Sequence, residues 1–486
     1  MVLVTILALP LLGGTAIAVG RGRRASAWVA VATNGATLVL GILTAVRVVK
    51  DGPISGAWGV LRADALSVFM VIVIGAISLL ASWLGIRTMA REQELENGSS
   101  VRSSHYGMLV QAFVGFMLLA VLAANVGVLW VAVEATTIVT AFLVGYRRTR
   151  GSLEASWKYI VICSVGIALA FLGTVFVYLA ALHAGGHSAQ ALDWTSLMAH
   201  AHRFNPSLMR FAFALIVLGY GTKVGLAPMH SWLPDAHSQA PAPVSALMSG
   251  VLLTVAFYAI LRFKAVTDVA LGPGFARTLL VVVALLSLAL AASLLITQRD
   301  YKRMLAYHSI EHMGLIALGA AAGIRLAIAA VLLHILGHGL AKSVLFLTSG
   351  EIMAAEGTSQ IDGVRTLLAR RPALGGVFGV GLVALLGLPP FSLFTSELVM
   401  VRAEFEVGLG WAAVLAMVAM VVIFIAVVGH ARHMLLGPPS SSHLPAPPPR
   451  WVATPLIGGL AVCGFIGVFA WPLSGLLEAA ARVVAS

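Results

Sequence analysis

The chain has 486 residues, of which 60% are hydrophobic and only 10% charged, with a formal net charge of +12 at pH 7. A soluble domain of this length needs far more surface charge, so the composition points to an all-α integral membrane protein set in a lipid bilayer. The positive balance does not point to nucleic acid: the basic residues stand in short loops between apolar runs, with no basic stripe interleaved with aromatics.

Apolar runs of about 20 residues, each enough to cross about 30 Å of hydrocarbon, recur along the chain and predict about fourteen spans. In chain order these cover 3–20, 28–49, 65–87, 106–123, 126–146, 156–182, 208–229, 242–263, 276–296, 303–322, 325–349, 373–401, 409–434 and 453–480. The first reads as a retained span: Ala16-Ile17-Ala18 mimics a cleavage site, but no basic region precedes the apolar run. The longest polar connections are 90–105, 183–207 and the Pro-rich 437–450, all expected as loops and the last as extended chain.

Basic clusters mark one side. Arg21, Arg23 and Arg24 follow the first span, and Arg147, Arg148 and Arg150 the fifth. Arg299, Lys302 and Arg303 follow the ninth, and Arg365, Arg370 and Arg371 precede the twelfth. The positive-inside rule makes that side cytoplasmic, which for an even number of spans in a cell inner (cytoplasmic) membrane puts both termini outside. Lys50, Arg62, Arg262 and Lys264 on the other side make this a bias in the charge.

Two spans carry helix breakers beside a charge. Span seven reads Gly219-Tyr220-Gly221-Thr222-Lys223-Val224-Gly225-Leu226-Ala227-Pro228, and span twelve reads Gly387-Leu388-Pro389-Pro390 before Glu397. Gly and Pro at membrane depth free backbone groups that protein or water must satisfy. Interruptions at matching places in two halves predict inverted repeats with an ion site at each break, made of spans four to eight and nine to thirteen. Residues 1–105 then hold N-terminal helices, 106–263 the first repeat, 276–434 the second, and 435–486 a loop and the last span.

A charge at a helix centre costs about 2.5–3.5 kcal/mol on insertion scales, so each one there needs a reason. Glu134, within Leu129-Trp130-Val131-Ala132-Val133-Glu134-Ala135, reads as a proton-binding carboxylate or as a structural ion-pair partner. Lys223 sits at the break in span seven, where burial favours a neutral amine and a nearby carboxylate favours the ammonium. A movable Glu134–Lys223 pair would switch that balance; the alternative is a cation snorkelling to the interface.

His334, His338 and Lys342 follow one another at i, i+4 and i+8 in span eleven, one stripe about 12 Å long. Such a stripe suits a hydrated proton wire, with a hydrogen-bonded structural stripe as the alternative. His at i, i+4 is also a metal-ligand spacing, but no third ligand lies nearby in sequence and Lys342 repels a cation, so no metal is expected. His308, Glu311 and His312 open span ten, as a lateral link between the halves or as interfacial groups. His230 and His237 flank Trp232-Leu233-Pro234-Asp235, as an entry site or a structured loop. Glu397, beyond the second break, is a candidate exit carboxylate or a packing partner. Cys163 and Cys463 lie in apolar spans without ligand spacing, and there is no Walker motif, no GxGxxG after a strand and no cysteine cluster. No cofactor is expected, and energy for uphill transport must come from another subunit or an ion gradient.

The stretch Lys223-Val224-Gly225-Leu226-Ala227-Pro228-Met229-His230-Ser231-Trp232-Leu233-Pro234-Asp235-Ala236-His237, followed by Ala240-Pro241-Ala242-Pro243-Val244-Ser245-Ala246, resembles the signature of antiporter-like subunits. These occur in respiratory complex I, multisubunit sodium/proton antiporters and membrane-bound nickel–iron hydrogenases. The resemblance runs from span three to span thirteen and implies a fourteen-helix fold of two inverted five-helix repeats with discontinuous helices seven and twelve. It implies that Glu134 and Lys223 form the family's essential pair, that His334, His338 and Lys342 lie on its central hydrophilic axis, and that Glu397 is the terminal residue of the second broken helix. Where the family carries Leu-Leu-Lys, this chain has Leu252-Leu253-Thr254. Thr254 orders water but holds no charge, so the link between half-channels is expected to rely on water there.

Leu305-Ala306-Tyr307-His308-Ser309-Ile310-Glu311-His312-Met313-Gly314, with Glu before His-Met-Gly, resembles the hydrogenase-four component F and formate hydrogenlyase type, as does His338-Gly339-Leu340-Ala341-Lys342-Ser343. This implies a proton-translocating subunit of a group-four nickel–iron hydrogenase or related complex, with other membrane subunits and soluble nickel–iron and iron–sulfur subunits as partners. The alternatives are the equivalent subunit of a complex I-like NADH or ferredoxin dehydrogenase, and a structural membrane anchor without transport.

Overall fold

The computed structural model describes residues 1–20, 24–95, 100–185, 190–437 and 450–485. Arg21, Arg23 and nearly all of the Pro-rich segment expected to be extended lie outside the described residues. In chain order come α1 (Val2–Val19), α2 (Arg24–Asp51), α3 (Ala65–Leu95), α4 (Ser100–Leu122), α5 (Val126–Val144) and α6 (Arg150–His183). A short α7 (Trp194–His200) follows in a connection expected to be loop, then α8 (Pro206–Val224) and α9 (Trp232–Gln239). The next span runs from α10 (Ala242–Leu247) through a widened π turn, Met248–Leu252, into α11 (Leu253–Leu271). Then come α12 (Pro273–Leu295), α13 (Tyr301–Ala322), α14 (Arg325–Glu356), α15 (Leu367–Arg370), α16 (Pro372–Leu385), α17 (Ser392–Glu406), α18 (Gly410–Leu436), α19 (Arg450–Val468) and α20 (Trp471–Val484). One small antiparallel hairpin, Ile54–Gly56 with Leu61–Ala63, caps the α2–α3 connection.

Eleven of the described helices are long and apolar enough to cross a membrane, and twelve if α19 and α20, bent by 76° at their junction, make one span. The protein is a multi-pass, all-helical membrane protein. The count falls short of the expected fourteen for two physical reasons. The α13 helix carries Lys302, Arg303, His308, Glu311 and His312, too polar for the apolar test, and span twelve is split into α16 and α17, of 14 and 15 residues.

The most apolar stretches of α10–α11 and of α14 are wholly buried, whereas only 28% of that of α18 is. The buried helices form the middle of the bundle, and α18 turns Val414, Val418, Val421 and Ile425 outward. Close packing without a water-driven hydrophobic force relies on small residues. Gly219 of α8 accordingly has no room for a side chain against the backbone of Gly166 and Ala170 on α6.

At the first break, α8 ends on Gly225, whose φ of +83° suits glycine. The Trp232 indole donates to the Thr222 carbonyl at 2.8 Å, and the Ala227 N–H donates to Ser287 Oγ of α12 at 2.9 Å. These bonds satisfy backbone groups that the break frees inside the bundle. At the second break, Gly387 (φ +62°) packs so tightly on the Glu397 carboxylate that any Cβ would collide with it.

Two charges expected at the outer side are in fact buried. Arg262 makes a bidentate pair with Asp64, both bonds 2.6 Å, and joins α11 to the start of α3. Lys264 pairs with Asp268 one turn on, at 2.5 Å. Near the opposite end, Asp235 of α9 pairs with Lys158 of α6 at 3.1 Å and Arg303 of α13 at 3.0 Å. That carboxylate ties the two predicted repeats together.

Candidate functional site: a buried polar axis

Glu134 and Lys223 are brought together, though indirectly. Lys223 is 1% exposed, and its ammonium donates to Thr137 Oγ1 at 2.6 Å and to Tyr159 Oη at 2.8 Å. Thr137, one turn beyond Glu134 on α5, in turn donates to the Glu134 carboxylate at 3.1 Å. Ammonium, hydroxyl and carboxylate thus stand in line. Glu134 is half-buried and faces a cavity of about 710 Å³ whose polar lining includes His105, Tyr146, Arg148, Ser156 and Ser164.

The two loop histidines part company. His230 is half-buried and donates from Nδ1 to the Pro228 carbonyl at 3.1 Å, which holds the turn after the break. His237 is fully buried on α9, donates from Nδ1 to the Leu233 carbonyl at 2.9 Å, and sets its ring 5.3 Å from Phe346 of α14. Its Nε2 has no partner among the described residues.

Thr254 is buried, but its hydroxyl donates back to its own helix, to the Val251 carbonyl at 2.9 Å. The hydroxyl that crosses between elements is a different one. Ser249, in the widened turn, lies 2.9 Å from Ser309 of α13. Ser309 donates to the Leu305 carbonyl at 3.2 Å, and that carbonyl also accepts from the Lys342 ammonium at 2.5 Å. A hydrogen-bonded chain therefore runs from α10–α11 through α13 to Lys342 on α14.

The densest cluster joins three helices. On α13, His308 Nδ1 lies 2.9 Å from the Glu311 carboxylate, and the His308 and His312 rings stack 4.8 Å apart. His312 Nδ1 meets His334 Nε2 of α14 at 3.0 Å, and the His338 ring lies 5.0 Å from His312. His334 Nδ1 lies 2.9 Å from Ser396 Oγ of α17, beside Glu397. His308, Glu311 and His312 are all buried within the bundle. Both nitrogens of His338 and Nε2 of His308 and His312 lack partners among the described residues, a concentration of unsatisfied buried groups that is unusual in a packed core.

Thr137, Tyr159, Ser249, Ser309 and Ser396 escaped the sequence reading. Thr137, Ser309 and Ser396 carry a weak signal, a hydroxyl within three residues of a candidate carboxylate; Tyr159 and Ser249, alone in apolar spans, carry none.

Residues 123–423 match the family model described as NADH:quinone oxidoreductase/Mrp antiporter, TM. The chain is 40% identical over 342 residues to a hydrogenase-4 component F homolog of Methylacidiphilum infernorum, covering 70% of this chain and 72% of the relative. It is 29% identical to hydrogenase-4 component B of Escherichia coli, over 69% of this chain but only 50% of that protein. Among solved structures, a chain of the membrane-bound sulfane sulfur reductase, an archaeal respiratory membrane complex, matches with a TM-score of 0.88 at 25% identity, covering 100% of this chain and 98% of that one. A chain of the Mrp complex from Dietzia matches with a TM-score of 0.86 at 20% identity, covering 100% and 97%, a likeness of fold. With the family model spanning well over half of its length, the chain belongs to the antiporter-like transmembrane subunits of the NADH:quinone oxidoreductase/Mrp antiporter family.

Proposed function

We propose that this chain is the proton-translocating membrane subunit of a group-four membrane-bound nickel–iron hydrogenase or a related redox-driven pump. The observation that carries the reading is the line of buried titratable groups and hydroxyls across the bundle. It begins at Glu134, Thr137 and Lys223, and it ends at His312, His334 and Glu397. Holding such groups in the apolar interior costs stability, and proton relays are a recurrent reason for keeping them. The likeness to hydrogenase-4 components favours the hydrogenase assignment over the complex I-like one.

In this scheme Thr137 relays between Glu134 and Lys223, and the Ser249–Ser309 hydroxyls and the Lys342 ammonium, which both bond the Leu305 carbonyl, hold the two halves in register so that water between them carries the proton across. The imidazoles of His338, His312 and His334 then carry the proton towards Glu397. Each neutral imidazole donates at one nitrogen and accepts at the other, so a proton gained on one side is released on the other. Counting α13 and the α16–α17 pair as spans brings the twelve to fourteen, arranged as two inverted repeats over 106–263 and 276–434 with both termini outside. Electrons travel elsewhere, in soluble nickel–iron and iron–sulfur partners.

The test is proton movement by the assembled complex in vesicles carrying Glu134→Gln or Lys223→Ala. Both variants are expected to assemble and to lose vesicle acidification; normal acidification by both removes the proposed role of the pair.

A further inference from the structure

The histidine cluster contains a set of ligands that the sequence does not bring together. Ligand atoms of His312 (α13), His334 (α14) and Glu397 (α17) all lie within 4.8 Å of one another. We propose that these three residues form a binding site for a divalent transition-metal ion such as Zn²⁺. Two imidazoles and one carboxylate with an open position is a common donor set for such ions.

The geometry is close to what an ion requires. With metal–ligand bonds of about 2.0–2.1 Å, tetrahedral ligand atoms stand about 3.3 Å apart. His312 Nδ1 and His334 Nε2 are 3.0 Å apart, so small ring shifts admit the ion between them.

The hydrogen bonds behind the site fix the ring that matters. Ser396 donates its only proton to the Leu393 carbonyl at 2.9 Å. With that proton on the carbonyl, Ser396 Oγ accepts from His334 Nδ1, 2.9 Å away, an arrangement that leaves the His334 Nε2 lone pair aimed at His312. A second hydrogen bond of this kind is what orients a metal-binding histidine. In that arrangement His312 Nδ1 is the donor of the bond between the rings. On metal binding that proton moves to His312 Nε2, which has no other partner, so the ring stays neutral and gains a lone pair at Nδ1.

An access route and charge balance are also present. A cavity of about 310 Å³ between α16, α17 and α18 is lined by both Glu397 and Glu311. Those two carboxylates offset the ion's charge. The repelling cation, Lys342, lies eight residues from His334 along α14, about 12 Å, and its amine points to the Leu305 carbonyl. A bound ion takes the place of the proton shared by His312 and His334, so it stops traffic between the rings; that consequence, unlike binding itself, rests on the proton-transport reading.

The experiment is equilibrium dialysis of the purified complex against radioactive zinc, with zinc X-ray absorption to identify ligands, on wild type, Glu397→Gln, His334→Gln and Ser396→Ala. Each variant is first checked for assembly. Wild type is expected to hold one zinc more per complex than either ligand variant, with imidazole scattering that the His334→Gln complex lacks. Ser396→Ala is expected to weaken binding by about 10–100-fold. Equal zinc content and affinity in wild type and both ligand variants overturns the site, as does an absence of saturable binding. Neither readout involves turnover, so a failure of the transport reading leaves this test intact.

Discussion

The Lys223 ammonium reaches Glu134 only through the Thr137 hydroxyl, which accepts from the lysine at 2.6 Å and donates to the carboxylate at 3.1 Å. A hydroxyl in that place can pass a proton in either direction without holding a charge. Removing it leaves the carboxylate and the ammonium without their shared partner. Thr137→Val is expected to slow proton movement about tenfold or more, as the loss of a hydrogen bond to a charged group costs about 1.5–3 kcal/mol. Thr137→Ser keeps the hydroxyl and is expected to retain most of the rate. Equal rates for the valine variant and wild type in acidification assays mean that Glu134 and Lys223 exchange protons by another route.

The Asp64–Arg262 pair makes a prediction about stability rather than transport. Both groups are buried, and Arg262 also donates to Tyr258 Oη at 3.0 Å and Ser67 Oγ at 2.9 Å. Asp64→Ala strands a buried guanidinium and is expected to cost about 3–5 kcal/mol. Replacing both partners, as in Asp64→Leu with Arg262→Met, is expected to recover much of that loss. Thermal unfolding of the detergent-solubilised complex checks both, and a single variant as stable as wild type shows that the pair is dispensable.

Much of the axis was legible in the sequence, because a Glu, Lys or His inside an apolar run stands out against its neighbours. Glu134, Lys223, His334, His338 and Glu397 were all visible in that way. What the sequence could not show is that His312 of α13 and His334 of α14 touch, since spacing within one helix says nothing about its rotation against another. The third ligand of the cluster, Glu397, is 63 residues beyond His334 in the chain. Nor could hydropathy place α14 in the centre and α18 at the rim: lipid demands no polar face, so a long apolar stretch is compatible with either position. Thr254 stands where the family resemblance implies a lysine, yet the polar contact that crosses between helices comes from Ser249, five residues earlier, at the widened turn.

The proposed orientation of the bundle rests on its basic loops and can be read by labelling. Both native cysteines, Cys163 and Cys463, are buried and do not compete for impermeant thiol reagents. Arg150, at the start of α6, and Ser207, at the start of α8, are exposed and lie at opposite ends of the bundle on the proposed topology. In intact cells a cysteine at Ser207 is expected to be labelled from outside and one at Arg150 to be shielded. The reverse pattern inverts the orientation and moves both termini to the cytoplasm.

The link between the halves separates two polar groups only a turn or so apart. Thr254 commits its hydroxyl to the Val251 carbonyl of its own helix, whereas Ser249 reaches Ser309 and, through the Leu305 carbonyl, the Lys342 ammonium. Valine at 254 keeps the shape of threonine and removes a hydroxyl that spans no gap between helices. Thr254→Val is therefore expected to conduct within about twofold of wild type, because a local bond of this kind contributes about 0.5 kcal/mol or less. Ser249→Ala removes the hydroxyl that bridges α10–α11 to α13 and leaves Ser309 with its bond to Leu305 alone. Loss of a neutral hydrogen bond costs about 0.5–1.5 kcal/mol, which corresponds to a rate lower by about 2–12-fold. Proton flux through the reconstituted complex, with assembly measured separately, compares the two variants directly. A slow Thr254→Val beside a normal Ser249→Ala reverses the assignment and places the link in water held at Thr254.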